Sequence, residues 1–151
     1  MSGYNEIAVS LNFKVTNLLP DKYVDTRNQS QHDRNDPQVQ VMVYEDRVMN
    51  WFFAQARGLA AAPDNGYAVL QIALAQVEAV QQFREGRSSH GRSKKTFVRA
   101  MTRIFRNLQG SRALLEDFYE QVRCGLFHAG FTSGPVFIGT ALPDAVAVQF
   151  G

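Results

Sequence analysis

The chain has 151 residues, enough for one domain with a sizeable core. Hydrophobic residues make up 45% and charged residues 20%, which excludes an intrinsically disordered chain. The formal charge is only +2 with an isoelectric point near 8.9, so total charge demands no polyanionic partner and the distribution of charge must decide.

The N-terminal MSGYNEIAVS has no basic segment followed by an apolar run, so it does not read as a signal peptide. Residues 7–15, IAVSLNFKV, alternate strictly, with Ile7, Val9, Leu11, Phe13 and Val15 on one side. A period of two predicts a half-buried strand. Residues 20–36, PDKYVDTRNQSQHDRND, are polar and turn-rich and read as a long surface loop. His32 lies near Asp25, Asp33 and Asp36, but the spacing matches no ligand pattern, so no metal site is expected.

Asp36-Pro37 opens a helix, with an acid at the N-cap and proline at the first helical position. Its entry, QVQVMVYE, alternates and allows a strand; beyond Glu45 the helical spacing of Met49, Phe52, Phe53 and Ala56 prevails. Asp64-Asn65 caps a second helix running to about Arg84, apolar nearly all round and expected to be the central, most buried one. Glu78 is the only acid inside it. It is a candidate partner for an arginine, Arg123 among them, or else a solvent-facing acid at the bundle edge.

After the linker EGRSSHGRS (85–93), a third helix of about 92–108 is sharply two-faced. Phe97, Met101, Ile104, Phe105 and Leu108 form one stripe, and Arg92, Lys95, Arg99, Arg103 and Arg106 form the other. Gly110 ends it, and Ser111 caps a fourth helix of about 112–129 with Leu115, Phe118, Val122 and Leu126 inward and Gly130 as C-cap. The tail, PVFIGTALPDAVAVQFG, reads as a small hairpin around Pro143-Asp144.

These elements predict a mainly α fold: a four- to five-helix bundle with a small terminal β element. All of it is expected in one domain, with an N-terminal strand and polar loop (1–36), the bundle (37–130) and the hairpin tail (131–151). Trp51, Phe52 and Phe53 exceed what one small bundle needs to bury, so a two-fold homodimer is expected. Cys124, the only cysteine, rules out an internal disulfide and points to a reducing, cytoplasmic location. No run approaches 18 apolar residues, so no membrane span is expected.

Two features point to chemistry. Between Arg84 and Arg106 lie eight of the sixteen lysines and arginines, against one acid, Glu85. A basic stripe on one helix face can follow a phosphate backbone, which makes Arg92, Lys95, Arg99, Arg103 and Arg106 candidate RNA contacts; the competing reading is a solvated face. The second feature is VRCGLFHAG, residues 122–130. Arginine grips phosphate oxygens and histidine moves protons near neutrality, so Arg123 and His128 suit metal-free RNA cleavage by the substrate's own 2′-OH. On an ideal helix the two side chains stand about 140° apart, so they meet only through arginine's reach, a distorted helix or a second protomer. The competing structural reading pairs Arg123 with Glu120 or Asp117 and uses His128 to cap helix carbonyls.

An Arg-x4-His segment at the end of a late bundle helix, followed by glycine, resembles the HEPN superfamily. The resemblance covers about residues 37–130 and implies a metal-independent endoribonuclease of defence, stress or toxin–antitoxin systems, without cofactor. Arg123 would act as phosphate clamp and His128 as general acid/base, with RNA, a second copy of the chain and an antitoxin or other protein as partners. Where the family often has asparagine after its arginine, this chain has Cys124, a weak donor and acceptor. That departure implies weakened activity, or the alternative function of a non-catalytic helical module binding a protein or nucleic acid.

Overall fold

The computed structural model describes residues 5–106 and 112–132. The chain divides into two compact units between Gly58 and Leu59. The expected single bundle with a small terminal β element is therefore corrected: a four-stranded antiparallel sheet fills the N-terminal part, and the helices around the Arg123 segment form a unit of their own.

In the first unit, β1 (Glu6–Ala8), β2 (Phe13–Thr16), β3 (Leu19–Asp25) and β4 (Gln31–Asp33) form a meander in the order β1-β2-β3-β4. Ile7 pairs with Val15, Phe13 with Asp25 and Tyr23 with His32. The alternating run 7–15 is thus two strands and a turn, not one strand. Val9 and Ser10 both donate their N–H to the Phe13 carbonyl, at 2.9 and 3.2 Å, and this folds the chain back. Phe13 is buried, whereas Ile7 is left 62% exposed.

The polar segment 20–36 was expected as a loop, yet β3 and β4 lie within or overlap it. A strand needs only its backbone ladder satisfied, and polar side chains suit the outer face of an antiparallel sheet. Here Lys22 meets Asp33 across the ladder at 3.6 Å, and the Arg34 guanidinium lies 5.3 Å from the Tyr23 ring centroid. The turn between the strands holds Gln29 at φ 61°, a conformation uncommon outside glycine.

Helix α1 (Pro37–Arg47) starts as the Asp36-Pro37 pair predicts, the Asp36 carboxylate accepting from the Gln38 N–H at 2.8 Å. It continues through a π-helical turn (Val48–Phe53) into α2 (Ala54–Ala60). Trp51 is exposed, and Phe52 and Phe53 are half-buried. Asp46 accepts from the Asn12 N–H and side chain at 3.0 and 2.6 Å, and Arg47 Nε donates to the Val9 carbonyl at 2.6 Å, so α1 is fastened to the β1–β2 turn.

Asp25 is the most strongly held acid of this unit. The Arg27 guanidinium grips it bidentately at 2.9 and 2.6 Å and the Arg27 N–H adds a third bond, which lowers its pKa to about 2 against the opposing effect of burial. Because the folded value lies below the unfolded one, the stabilisation is intact above about pH 4 and is lost as pH falls towards 2. A carbon-13 NMR titration of the Asp25 carboxyl is expected to show a midpoint near 2. A midpoint near the ordinary value of about 3.9 would remove this clamp from the account.

In the second unit a 3₁₀ turn (Pro63–Asn65) leads into α3 (Gly66–Glu85), which Gly86 ends at φ 61°. Then follow α4 (Ser93–Ile104), α5 (Arg112–Phe118), a π-helical turn (Tyr119–Cys124) and α6 (Gly125–Ala129), closed by Gly130 at φ 78°. The core is built from Leu74 and Val77 of α3, Phe97, Val98, Ala100 and Met101 of α4, Leu115, Tyr119, Val122 and Leu126. Phe97 is fully buried, its ring 5.4 Å from that of Tyr119.

The expectation that α3 would be the most buried helix is corrected. It places Gln76, Glu78 and Gln81 inside and leaves Phe83 exposed, while α4 supplies four core side chains. The fourth expected helix is interrupted by its π turn. Leu108, Gly110, Ser111 and the hairpin around Pro143-Asp144 lie outside the described residues.

Candidate functional site

The polar machinery of the second unit gathers around the α3–α4 connection and the first turn of α4. Gly86 lets the chain leave α3 in a left-handed turn, and the segment through Gly91, also at positive φ, returns it to α4. Ser89 donates its N–H to Gln82 Oε1 at 3.2 Å, and its hydroxyl donates to Glu78 Oε1 at 2.5 Å. Arg92 anchors the end of the turn by donating Nε and Nη2 to the Ser88 carbonyl at 3.2 and 2.8 Å.

Two depressions flank this turn, and Ser93 lines both. The larger, about 450 Å³, lies between the start of α4 and α5. Arg92, Lys94, Lys95 and Arg112 bring four cations to it, against the single carboxylate of Glu116. Arg112 Nε reaches Glu116 at 2.7 Å, and Lys94 pairs with Glu120. Arg112 holds the Glu116 carboxyl below its ordinary pKa, and Glu120 raises that of Lys94, so these groups stay ionised around neutrality. Exposed pairs of this kind are worth about 0–1 kcal/mol, so an incoming phosphate can displace them.

The basic stripe expected along α4 is divided by its partners. Arg92 and Lys95 face the cleft. Arg99 is instead bound to Glu85 at 2.5 Å, and Arg103 leans to Gln81 Oε1 at 3.5 Å. Glu85 also accepts from Gln81 and Arg87, at 2.6 and 2.9 Å; these three donors pull its pKa to about 2, so it holds its charge and half neutralises that end of the stripe. Arg106 is exposed.

The second depression, about 380 Å³, is lined by Glu78, Gln82, Ser88–His90, Ser93, Arg123 and Phe127, with Ala75. Arg123 Nη2 donates to Glu78 Oε2 at 2.9 Å, and the pair is largely out of water, with side-chain exposures of 20% and 6%. Of the pairings the sequence allows for Arg123, the structure shows the one with Glu78 and not that with Glu120 or Asp117, while Glu120 takes Lys94. The Arg123 guanidinium sits between aromatic neighbours, 5.4 Å from the Tyr119 centroid and 4.5 Å from that of Phe127. Its Nε is buried with no hydrogen-bond partner among the described residues. Burial raises the Tyr119 phenol above its ordinary pKa, with Arg123 opposing.

The structure does not bring Arg123 and His128 together in one depression. His128 is exposed on α6 and lines neither cavity, whereas His90 shares the depression with Arg123. Cys124 is half-buried, packed against the core and next to Tyr119. The π-helical turn that carries Arg123 and Cys124 is a feature frequent at functional sites. In the first unit, His32 bonds Ser30 at 2.8 Å, Asp25 is held by Arg27 and Asp36 caps α1. Among the described residues no three His, Cys, Asp or Glu side chains gather as a ligand set. Nor is any helix among them long and apolar enough to cross a membrane.

Lys94, Arg112, Ser89, His90 and Phe127 are site residues that sequence reasoning missed. Lys94 lies off the stripe by one helical step, Arg112 belongs to the next helix, and Ser89 and His90 sit in a stretch that reads as linker. Comparison with known proteins found no matching family model, no similar curated protein and no similar solved structure.

Proposed function

We propose that the helical unit is a HEPN-like module that binds RNA through the cleft at the start of α4. The observation that carries this reading is the convergence of Arg92, Lys94, Lys95 and Arg112 on one cavity whose lining holds a single carboxylate, Glu116, with Glu120 pairing Lys94. Such a cleft neutralises several phosphates at once and reads no sequence by itself. The same reading takes a second copy of the chain as partner, supported by the exposure of Met42, Met49 and Trp51 along one helical segment. Fluorescence anisotropy with a labelled single-stranded oligoribonucleotide tests it. Lys95→Ala is expected to weaken binding several-fold and Arg106→Ala hardly at all. Equal effects from the two, or no binding by the wild type, would count against the cleft.

A second reading makes the module a metal-independent endoribonuclease. It is favoured by one observation: Arg123 borders an open depression with an exposed imidazole, that of His90. Incubation with mixed RNA in the presence of chelator would then give products ending in 2′,3′-cyclic phosphate. Loss of cleavage in His128→Ala but not in His90→Ala assigns the proton transfer to His128, and the converse assigns it to His90. Intact RNA with the wild type leaves the binding module alone standing.

A further inference from the structure

The two depressions differ in chemistry. In the cleft of Arg92, Lys94, Lys95 and Arg112 cations dominate. In its neighbour the charges of Glu78 and Arg123 compensate at 2.9 Å, and what remains around them is hydroxyl, amide, imidazole and aromatic ring. Phe127 is 40% exposed, and the Arg123 guanidinium lies 4.5 Å from its centroid, which fixes the ring and adds a cation to the stacking surface. Glu78 in turn accepts from Arg123 at 2.9 Å, which holds the guanidinium against the ring. Ser88, His90 and Gln82 stand at the rim with donors and acceptors. A cationic cavity and an uncharged aromatic one, meeting at Ser93, reproduce the two halves of a nucleotide.

Resting on the RNA-binding reading, we infer that the Phe127–Arg123 depression receives an unpaired nucleobase while the adjoining cleft holds its phosphates, so that the ligand is single-stranded. A base in a duplex is stacked and paired and has no free face to present. An unstacked base lies on aromatic rings and arginine planes and is hydrogen-bonded along its edges, which is how single strands are recognised. The stacking face discriminates poorly among bases, and the few polar groups at the rim set only a modest preference.

The test uses three labelled oligoribonucleotides with equal numbers of phosphates: a single strand, the same strand with abasic positions, and a duplex. The wild type is expected to bind the ordinary single strand roughly tenfold more tightly than the other two. Phe127→Ala should bring the single strand down to the abasic level without changing the salt dependence, and Phe127→Tyr should restore the difference. His90→Ala should reduce it in part. Equal binding of ordinary and abasic strands by the wild type overturns the inference while leaving the cleft reading intact. So does a Phe127→Ala variant that loses affinity equally for both. Absence of binding to all three probes removes the RNA reading and this inference with it.

Discussion

Replacing Glu78 with alanine is expected to lower the melting temperature of the helical unit by roughly 12–24 °C. Glu78 accepts from both Ser89 and Arg123 while being almost wholly buried. Its removal leaves the Ser89 hydroxyl without that acceptor and the Arg123 guanidinium, already lacking a partner at Nε, without a counter-charge. Breaking a buried pair from one side costs about 3–5 kcal/mol, and the partial exposure of Arg123 places this case at the low end. For a domain of this size each kcal/mol moves the midpoint by about 4–8 °C. Glu78→Gln keeps an acceptor for Ser89 and is expected to cost less. Glu78→Leu combined with Arg123→Met removes both charges and should recover most of the loss, because two apolar groups of similar volume satisfy a buried site without desolvating ions. Calorimetry showing Glu78→Ala within a couple of degrees of wild type would mean that the pair is a solvated contact.

This pair also marks how far the sequence is legible. A lone acid inside an apolar helix stands out, because a buried carboxylate requires a partner, and that singled out Glu78. Arg123 was named among its partners, yet helical spacing offered Arg123 to Glu120 or Asp117 as well; how α3 lies against the π-helical turn decides for Glu78, and Glu120 holds Lys94. The helix starts at Asp36-Pro37 and near Asp64-Asn65 were legible from local turn residues, but only the first is capped as expected. The Asp36 carboxylate caps α1, whereas Asn65 makes no side-chain cap bond at the start of α3 and donates to the Leu59 carbonyl instead. The strands at 19–25 and 31–33 were not, because their stability comes from ladder bonds to β2 and to each other rather than from alternation of their own side chains. The basic face of α4 was visible as a stripe, but its division was not. Glu85, from the end of α3, pairs with Arg99, and Arg103 leans to the neutral Gln81, while Arg112, from the next helix, joins Arg92 and Lys95. His90 was visible as one of three histidines, yet its place beside Arg123 arises only from the turn that Gly86 and Gly91 permit.

The salt dependence of RNA binding tests the central claim most directly. Each phosphate contact on a single strand contributes a log–log slope of about −0.7, so the four cations of the cleft predict a wild-type slope of roughly −2 to −3. Replacing Arg92 and Lys95 with glutamine removes two of them and should flatten the slope by about 1.4, with affinity falling most at low salt. Replacing Arg99 and Arg103 with glutamine should leave the slope nearly unchanged, since neither side chain lines the cleft and Glu85 already pairs with Arg99. A slope that flattens for the Arg99 and Arg103 pair but not for the Arg92 and Lys95 pair would contradict the account, and would place the RNA on the outer face of α4 rather than in the cleft.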